Sequence, residues 1–74
     1  MENVHQYLFK SVKLVTDKYA SIPINSIGTI LEVYNDRFCE VEFNKLDGST
    51  LYLGSMSFDD LEVIDYKTGD GSMS

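Results

Sequence analysis

Two β-rich runs separated by a tight turn place the strongest constraint on how this chain can fold. Residues 27–34 and residues 38–43 are dominated by β-branched and aromatic side chains, which favour extended strands. The sequence Asn-Asp-Arg at 35–37 separates them, and its first two residues tolerate the left-handed backbone that tight turns require. The sequence therefore predicts a β-hairpin.

The second arm of this hairpin indicates which face of the sheet is the core. Cys39, Val41 and Phe43 alternate with Glu40 and Glu42. Successive side chains of a strand point to opposite faces, so the three apolar residues share one face and the two carboxylates the other. We expect a sheet with one buried and one wet face, and a buried thiol at Cys39.

Three further runs complete the predicted sheet. Each has the short, β-rich or alternating character of a strand and is bounded by turn formers. The predicted strands lie at residues 7–16, 49–54 and 61–66, with turns at 44–48 and 55–60. In the last turn, Ser57 is placed to cap the amides of Asp59 and Asp60 as in a single 3₁₀ turn.

Residues 17–26 form a long predicted loop that contains the only proline. Tyr19, Ile22 and Ile24 are too apolar to stand in water together. We expect at least two of them to fold back over one end of the core.

Five short strands, turns about every 8 to 12 residues and no amphipathic helix predict an all-β fold, either a small five-stranded barrel or a rolled antiparallel sheet. Closing such a sheet also hides its edges. Residues 1–66 are predicted to form one domain. Residues 67–74 have almost nothing to bury and are predicted to be a flexible tail.

The charge balance restricts the partners. Six Lys and Arg against twelve Asp and Glu give a net charge of −6 and a pI near 4.4. Such a surface repels phosphate backbones and anionic lipids, which argues against nucleic acid and membrane partners. A basic protein is a natural candidate partner, because opposite charges accelerate encounter. On charge alone, the favoured explanation is that the acidity only keeps the protein soluble. For the protein itself we expect a monomer or a weak homo-oligomer.

No constellation of residues predicts catalysis, a metal or a cofactor. Cys39 is the only cysteine and His5 the only histidine, and a zinc site needs about four ligands. Asp59 and Asp60 are adjacent on a turn, an arrangement that is typical of a solvated surface. The glycines are too scattered to cradle a phosphate. We expect a protein that is not an enzyme.

The compartment follows from the first residues. They lack the cationic opening and the apolar stretch of a secretory signal, and no apolar run approaches the roughly 18 residues of a membrane span. We expect a cytoplasmic protein.

Parts of the sequence also resemble a known protein family. The resemblance rests on residues 12–17, the Ile-Gly-Thr-Ile-Leu-Glu-Val-Tyr sequence at 27–34, the Cys-Glu-Val-Glu-Phe sequence at 39–43, the Asp-Gly-Ser-Thr sequence at 47–50 and Leu61. In this order they resemble the small bacterial proteins of the domain-of-unknown-function family four-nine-two-six. The resemblance spans about residues 12 to 64. The glycine-led hairpin is also similar to KOW segments of translation factors. The resemblance implies an SH3-like barrel without known catalytic residues.

The aromatic side chains suggest where a partner binds. Tyr34, Phe38 and Tyr52 occupy strand or hairpin positions that are expected to face outward, where tyrosine and other aromatic residues are enriched at interfaces. Covering the ends of the barrel is an equally good explanation for these rings. Together with the outward carboxylates they predict a partner-binding surface of Glu32, Tyr34, Asp36, Phe38, Glu40 and Glu42.

The function that we expect is protein binding by an immunity or antitoxin protein, which would neutralise a basic toxin such as a nuclease domain. Two alternatives remain open. One is a KOW-like module of the ribosome or transcription machinery, and the other is a structural or regulatory subunit of a larger complex.

Overall fold

The fold of residues 4–64 consists of five antiparallel strands and two 3₁₀ turns. The structure is a computed structural model, and it describes these residues. In chain order these elements are a 3₁₀ turn (Val4–Tyr7), β1 (Ser11–Leu14), β2 (Ile27–Val33), β3 (Phe38–Asn44), β4 (Thr50–Ser57), a second 3₁₀ turn (Phe58–Asp60) and β5 (Leu61–Ile64). The predicted flexible tail at 67–74 lies outside the described residues.

The strands form a single sheet in the order β4-β3-β2-β1-β5. Each neighbouring pair is antiparallel, and β1 lies between β2 and the last strand. The prediction of an all-β, five-stranded small barrel or rolled sheet is confirmed. Neither 3₁₀ turn in residues 4–64 approaches the length and apolar character of a membrane-spanning helix.

The core follows the alternation of β3. Cys39, Val41 and Phe43 are completely buried, whereas Glu40 and Glu42 are partly exposed on the other face. The predicted inner and outer faces of this strand are therefore confirmed. The buried apolar residues of the whole sheet are Val12, Leu14, Ile22, Ile30, Val33, Cys39, Val41, Phe43, Met56 and Leu61.

A β-bulge in β2 changes the pattern of the first hairpin arm. Ile30 pairs with Val41, but the next pair joins Glu32 to Glu40, so β2 holds one residue more than β3 at this point. Ile30 and Val33 are both buried although Val33 is the third residue after Ile30. In a regular strand these two side chains would point to opposite faces. The bulge turns Val33 toward the core and leaves Glu32 exposed.

The long loop packs as predicted. Ile22 is buried, and Tyr19 is half-buried against the core. Ile24 remains 48% exposed. Two of the three apolar loop residues thus cover the core, as the sequence predicts.

The prediction that the first strand begins at residue 7 is wrong. The 3₁₀ turn Val4–Tyr7 precedes it instead, and Phe9 has a left-handed backbone with φ of 65°, which interrupts an extended strand. The Phe9 N–H donates to the Ile30 carbonyl at 2.8 Å. Regular pairing begins only at Ser11.

The boundaries near the end of the sheet also differ. β4 continues through Ser57 rather than ending at Gly54, because it pairs with the full length of β3 as far as Phe38. The Ser57 hydroxyl accepts a hydrogen bond from the Asp59 N–H at 3.1 Å, which confirms that cap. Of the predicted final strand, residues 65 and 66 lie outside the described part of the chain.

Asp60 ties the long loop to the second 3₁₀ turn. Its carboxylate is nearly buried and accepts a hydrogen bond from the Tyr19 hydroxyl at 2.7 Å. The Lys18 ammonium lies 3.3 Å from its other oxygen. Burial and this hydrogen bond to Asp60 raise the pKa of Tyr19. The contact holds the loop over the core through charge-assisted bonds, which are stronger than neutral ones.

Removing the Tyr19 hydroxyl should therefore destabilise the fold. We expect Tyr19→Phe to lower the free energy of unfolding by roughly 1 to 2 kcal/mol, because a nearly buried carboxylate loses a donor. Urea denaturation followed by circular dichroism measures the loss. Tyr34→Phe is the matched control, since its hydroxyl donates to Glu40 at 2.6 Å on an exposed surface. Equal losses in the two variants would contradict a structural role for Asp60.

Candidate partner-binding surface

The structure brings the six predicted site residues to the outer side and the tip of the β2–β3 hairpin. Glu32 lies directly opposite Glu40, and Glu42 lies two residues further along β3. At the tip, the Tyr34 N–H donates to the Phe38 carbonyl at 3.0 Å, with Asp36 in the turn between them. We call this set, Glu32, Tyr34, Asp36, Phe38, Glu40 and Glu42, the acidic hairpin face.

Among residues 4–64, no lysine or arginine forms an ion pair with the glutamates of this face. The ion pairs described for residues 4–64 join Lys13 to Glu62 and Lys18 to Asp60, and neither involves Glu32, Glu40 or Glu42. Like charges directly opposite each other on neighbouring strands are destabilising. The pair Glu32 and Glu40 is therefore a local cost that a bound cation would relieve.

Hydroxyl donors orient two of these carboxylates. The Tyr34 hydroxyl donates to Glu40 Oε1 at 2.6 Å, and the Thr50 hydroxyl donates to Glu42 Oε2 at 3.3 Å. The hydrogen bond to Glu40 is the main cause that raises the pKa of Tyr34. The Tyr34 ring is thus held beside an anionic group.

The hairpin turn is built to hold the tip in one conformation. Asn35 Oδ1 accepts hydrogen bonds from the Arg37 and Phe38 N–H groups at 2.8 and 2.9 Å. An asparagine that bonds its own following backbone is a common turn-forming device. Tyr34 and Phe38, which are 51% and 44% exposed, are consequently presented to solvent from a fixed backbone.

A cleft of about 200 Å³ adjoins the tip. The turn contributes Asp36, Arg37 and Phe38 to its lining, and the Phe58 N–H donates to the Arg37 carbonyl at 2.9 Å. The second side of the cleft comes from Ser57, Phe58 and Asp59. It therefore combines two aromatic residues and two carboxylates with one cationic residue, Arg37. The aromatic rings and the excess of negative charge suit a cationic side chain.

Sequence reasoning missed the second side of this cleft. Ser57 lies opposite Phe38 because β4 pairs with β3 as far as that residue, and the following 3₁₀ turn then places Phe58 beside the hairpin tip. The Tyr7 ring packs behind Phe58, with ring centroids 6.1 Å apart. The cleft could be located only by knowing that β4 continues beyond Gly54. The periodicity of the sequence does not reveal this continuation.

Tyr52 does not belong to the outer surface, contrary to the prediction. It lies opposite Phe43 on β4 and is half-buried against the core. Its ring packs edge-on against the Tyr19 ring, with the ring centroids 5.7 Å apart. Its hydroxyl donates a hydrogen bond to the Ser55 carbonyl at 2.7 Å. Because Tyr52 is paired with the buried Phe43, its side chain lies on the core face of the sheet.

Cys39, Asp59 and Asp60 lie in three different environments. Burial raises the pKa of the Cys39 thiol to about 11, and the thiolate is the nucleophilic form. Asp59 is exposed, whereas Asp60 is nearly buried and bonded to Tyr19, so the adjacent carboxylates do not act as a pair. Within the same residues, no cluster of three or more His, Cys, Asp or Glu could hold a metal ion.

Comparison with known proteins yields no match to a family model, a curated protein or a solved structure. The resemblance to the domain-of-unknown-function family stays a prediction from the sequence.

Proposed function

We propose that this protein is a non-catalytic binding module that docks a basic protein partner on the acidic hairpin face. One observation carries the proposal: two exposed aromatic side chains, Tyr34 and Phe38, flank the hairpin turn among glutamates that take part in neither of the ion pairs described for residues 4–64. Aromatic anchors surrounded by a polar rim are typical of protein interfaces.

The two kinds of side chain have different roles in the proposed complex. Tyr34 and Phe38 supply contact area that is lost from water on binding, which stabilises the complex and slows its dissociation. Glu32, Glu40 and Glu42 attract a basic surface over a distance and accelerate association. A Lys or Arg side chain of the partner can enter the cleft between the tip and the second 3₁₀ turn.

The biological role that best fits this surface is that of an immunity or antitoxin protein. A toxin that acts on nucleic acid has a basic active-site face, because that face must bind phosphates. A small protein with a net charge of −6 and an acidic, aromatic face is complementary to it.

Binding kinetics test the proposal. A partner encoded by the neighbouring gene or recovered by affinity capture is immobilised, and association and dissociation are measured at several salt concentrations. We expect the double variant Glu40→Lys and Glu42→Lys to bind more slowly and with a weaker salt dependence, because it loses the attracting charge. Tyr34→Ala and Phe38→Ala should instead accelerate dissociation, by about tenfold or more for an anchor residue.

Asp17→Lys is the matched control, since Asp17 is an exposed carboxylate of the long loop and lies outside the acidic hairpin face. It should change the rates much less than the Glu40 and Glu42 reversals. Unchanged rates in all the hairpin variants would place the interface elsewhere.

A nucleic-acid assay distinguishes the proposed function from the KOW-like alternative. Fluorescence polarisation with a labelled RNA should show no binding at physiological salt, because phosphate neutralisation supplies most non-specific affinity and the acidic face opposes it. Salt-sensitive binding at micromolar protein would favour the KOW-like module instead.

A further inference from the structure

A second open surface lies at the end of the hairpin opposite the tip. β3 runs from Phe38 at the tip to Asn44, and beyond it the β3–β4 turn meets the long loop around a groove of about 660 Å³. Pro23 comes from the loop, Ile27 from the start of β2, and Lys45, Leu46 and Leu51 from the turn and the start of β4. We call this the loop groove.

Two exposed apolar side chains, Ile27 and Leu46, line the loop groove. Leu46 is fully exposed, and Ile27 and the neighbouring Ile24 are 45% and 48% exposed. A contiguous apolar patch on a small domain marks an interaction site more often than isolated exposed leucines do. Leu46 lines the groove and is fully exposed, so the same patch offers both a solvent-exposed leucine and an apolar recess.

The loop groove also differs in charge from the rest of the protein. None of its lining residues is acidic, and Lys45 contributes a positive charge, in a chain with twelve Asp and Glu. Asp47, next to Leu46, is held by its own turn, where it accepts hydrogen bonds from the Ser49 N–H and hydroxyl at 2.9 and 2.7 Å. It therefore lies beside the patch as a fixed negative charge.

We propose that two copies of this chain associate through their loop grooves, with Leu46 of each copy packing into the groove of the other. Two chains of charge −6 repel each other over most of their surfaces, and a carboxylate-free patch allows close approach. An exposed leucine and a recess on one patch make it self-complementary, which a twofold-symmetric contact requires. Lys45 of one copy can then approach Asp47 of the other.

The contact should be weak. A single groove and one inserted leucine per copy form an interface at or below the low end of the size range of stable complexes, about 1,200 Å² in total. Because the grooves lie at the end opposite the tip, both acidic hairpin faces remain accessible in the dimer. The proposal therefore does not depend on the proposed function.

Sedimentation velocity tests the association. We expect the weight-average sedimentation coefficient to rise toward that of a dimer between about 10 µM and about 1 mM protein, the range of weak affinities. The rise should be larger at high salt, because salt screens the repulsion between the two acidic chains. A coefficient that stays monomeric throughout this range at high salt would overturn the proposal.

Two glutamine variants locate the contact without altering the net charge. Leu46→Gln should raise the dissociation constant by about tenfold or more, since a leucine buried in the contact is lost. Leu53→Gln is the control, because Leu53 is also exposed, at 56%, but does not line the loop groove. An equal effect of both variants, or of neither, would show that the copies do not meet at this groove. Binding of the basic partner by Leu46→Gln should match the unaltered protein, so the two proposals fail separately.

Discussion

Replacing Phe43 by alanine should remove roughly 3 to 5 kcal/mol from the free energy of unfolding. Phe43 is the largest of the fully buried side chains and lies on β3, between Gly28 on β2 and Tyr52 on β4. Alanine would leave a cavity that strands on both sides cannot fill without breaking their register. In a domain of this size the loss approaches the whole stability, so we expect the variant to be largely unfolded at 25 °C.

Urea denaturation followed by circular dichroism measures this effect, with Glu42→Ala as the control. Glu42 is the preceding residue on the same strand, but its side chain is on the outer face and accepts a hydrogen bond from Thr50. Its loss should change the free energy of unfolding by no more than about 0.5 kcal/mol. Similar losses in the two variants would mean that the faces of β3 are reversed.

Gly28→Ala should be nearly as damaging, by overcrowding rather than by a cavity. A Cβ atom at Gly28 would lie 2.7 Å from the Glu42 carbonyl oxygen and 2.8 Å from two carbons of the Phe43 ring. Neither neighbour can move freely, because one is backbone in the paired strand and the other is the central ring of the core. We expect a loss of about 3 kcal/mol, the upper part of the range for overpacked cores.

Gly54→Ala provides the matched control on the other side of β3. A Cβ atom there would meet only the Tyr52 side chain, at 3.4 Å or more, which is close to ordinary contact distance. The same urea titration should show a small change, because alanine also restricts the unfolded chain more than glycine does. If Gly54→Ala were as destabilising as Gly28→Ala, the close approach of Phe43 to β2 would not be the cause.

Local pattern in the sequence determined much of the hairpin and its outer face. The alternation from Cys39 to Phe43 predicts which side chains are buried, because successive side chains of a strand point to opposite faces of the sheet. The turn at 35–37 is set by its own asparagine, which bonds the following backbone. The composition alone determined the net charge of −6.

Other features depended on contacts between residues far apart in the chain. The bulge between Ile30 and Glu32 exists because β2 must match β3, and it decides that Glu32 faces outward although strict alternation from Ile30 would turn it inward. The inward position of Tyr52 likewise depends on its place opposite Phe43.

The cleft and the loop groove were decided by tertiary structure alone. Asp36 and Asp59 are far apart in sequence and come together only because β4 extends along β3 to Ser57. Pro23 and Leu46 share the loop groove only because the long loop folds back over the end of the sheet. Periodicity specifies which way a side chain points on its own strand, whereas the pairing of strands and the packing of loops specify which surfaces meet.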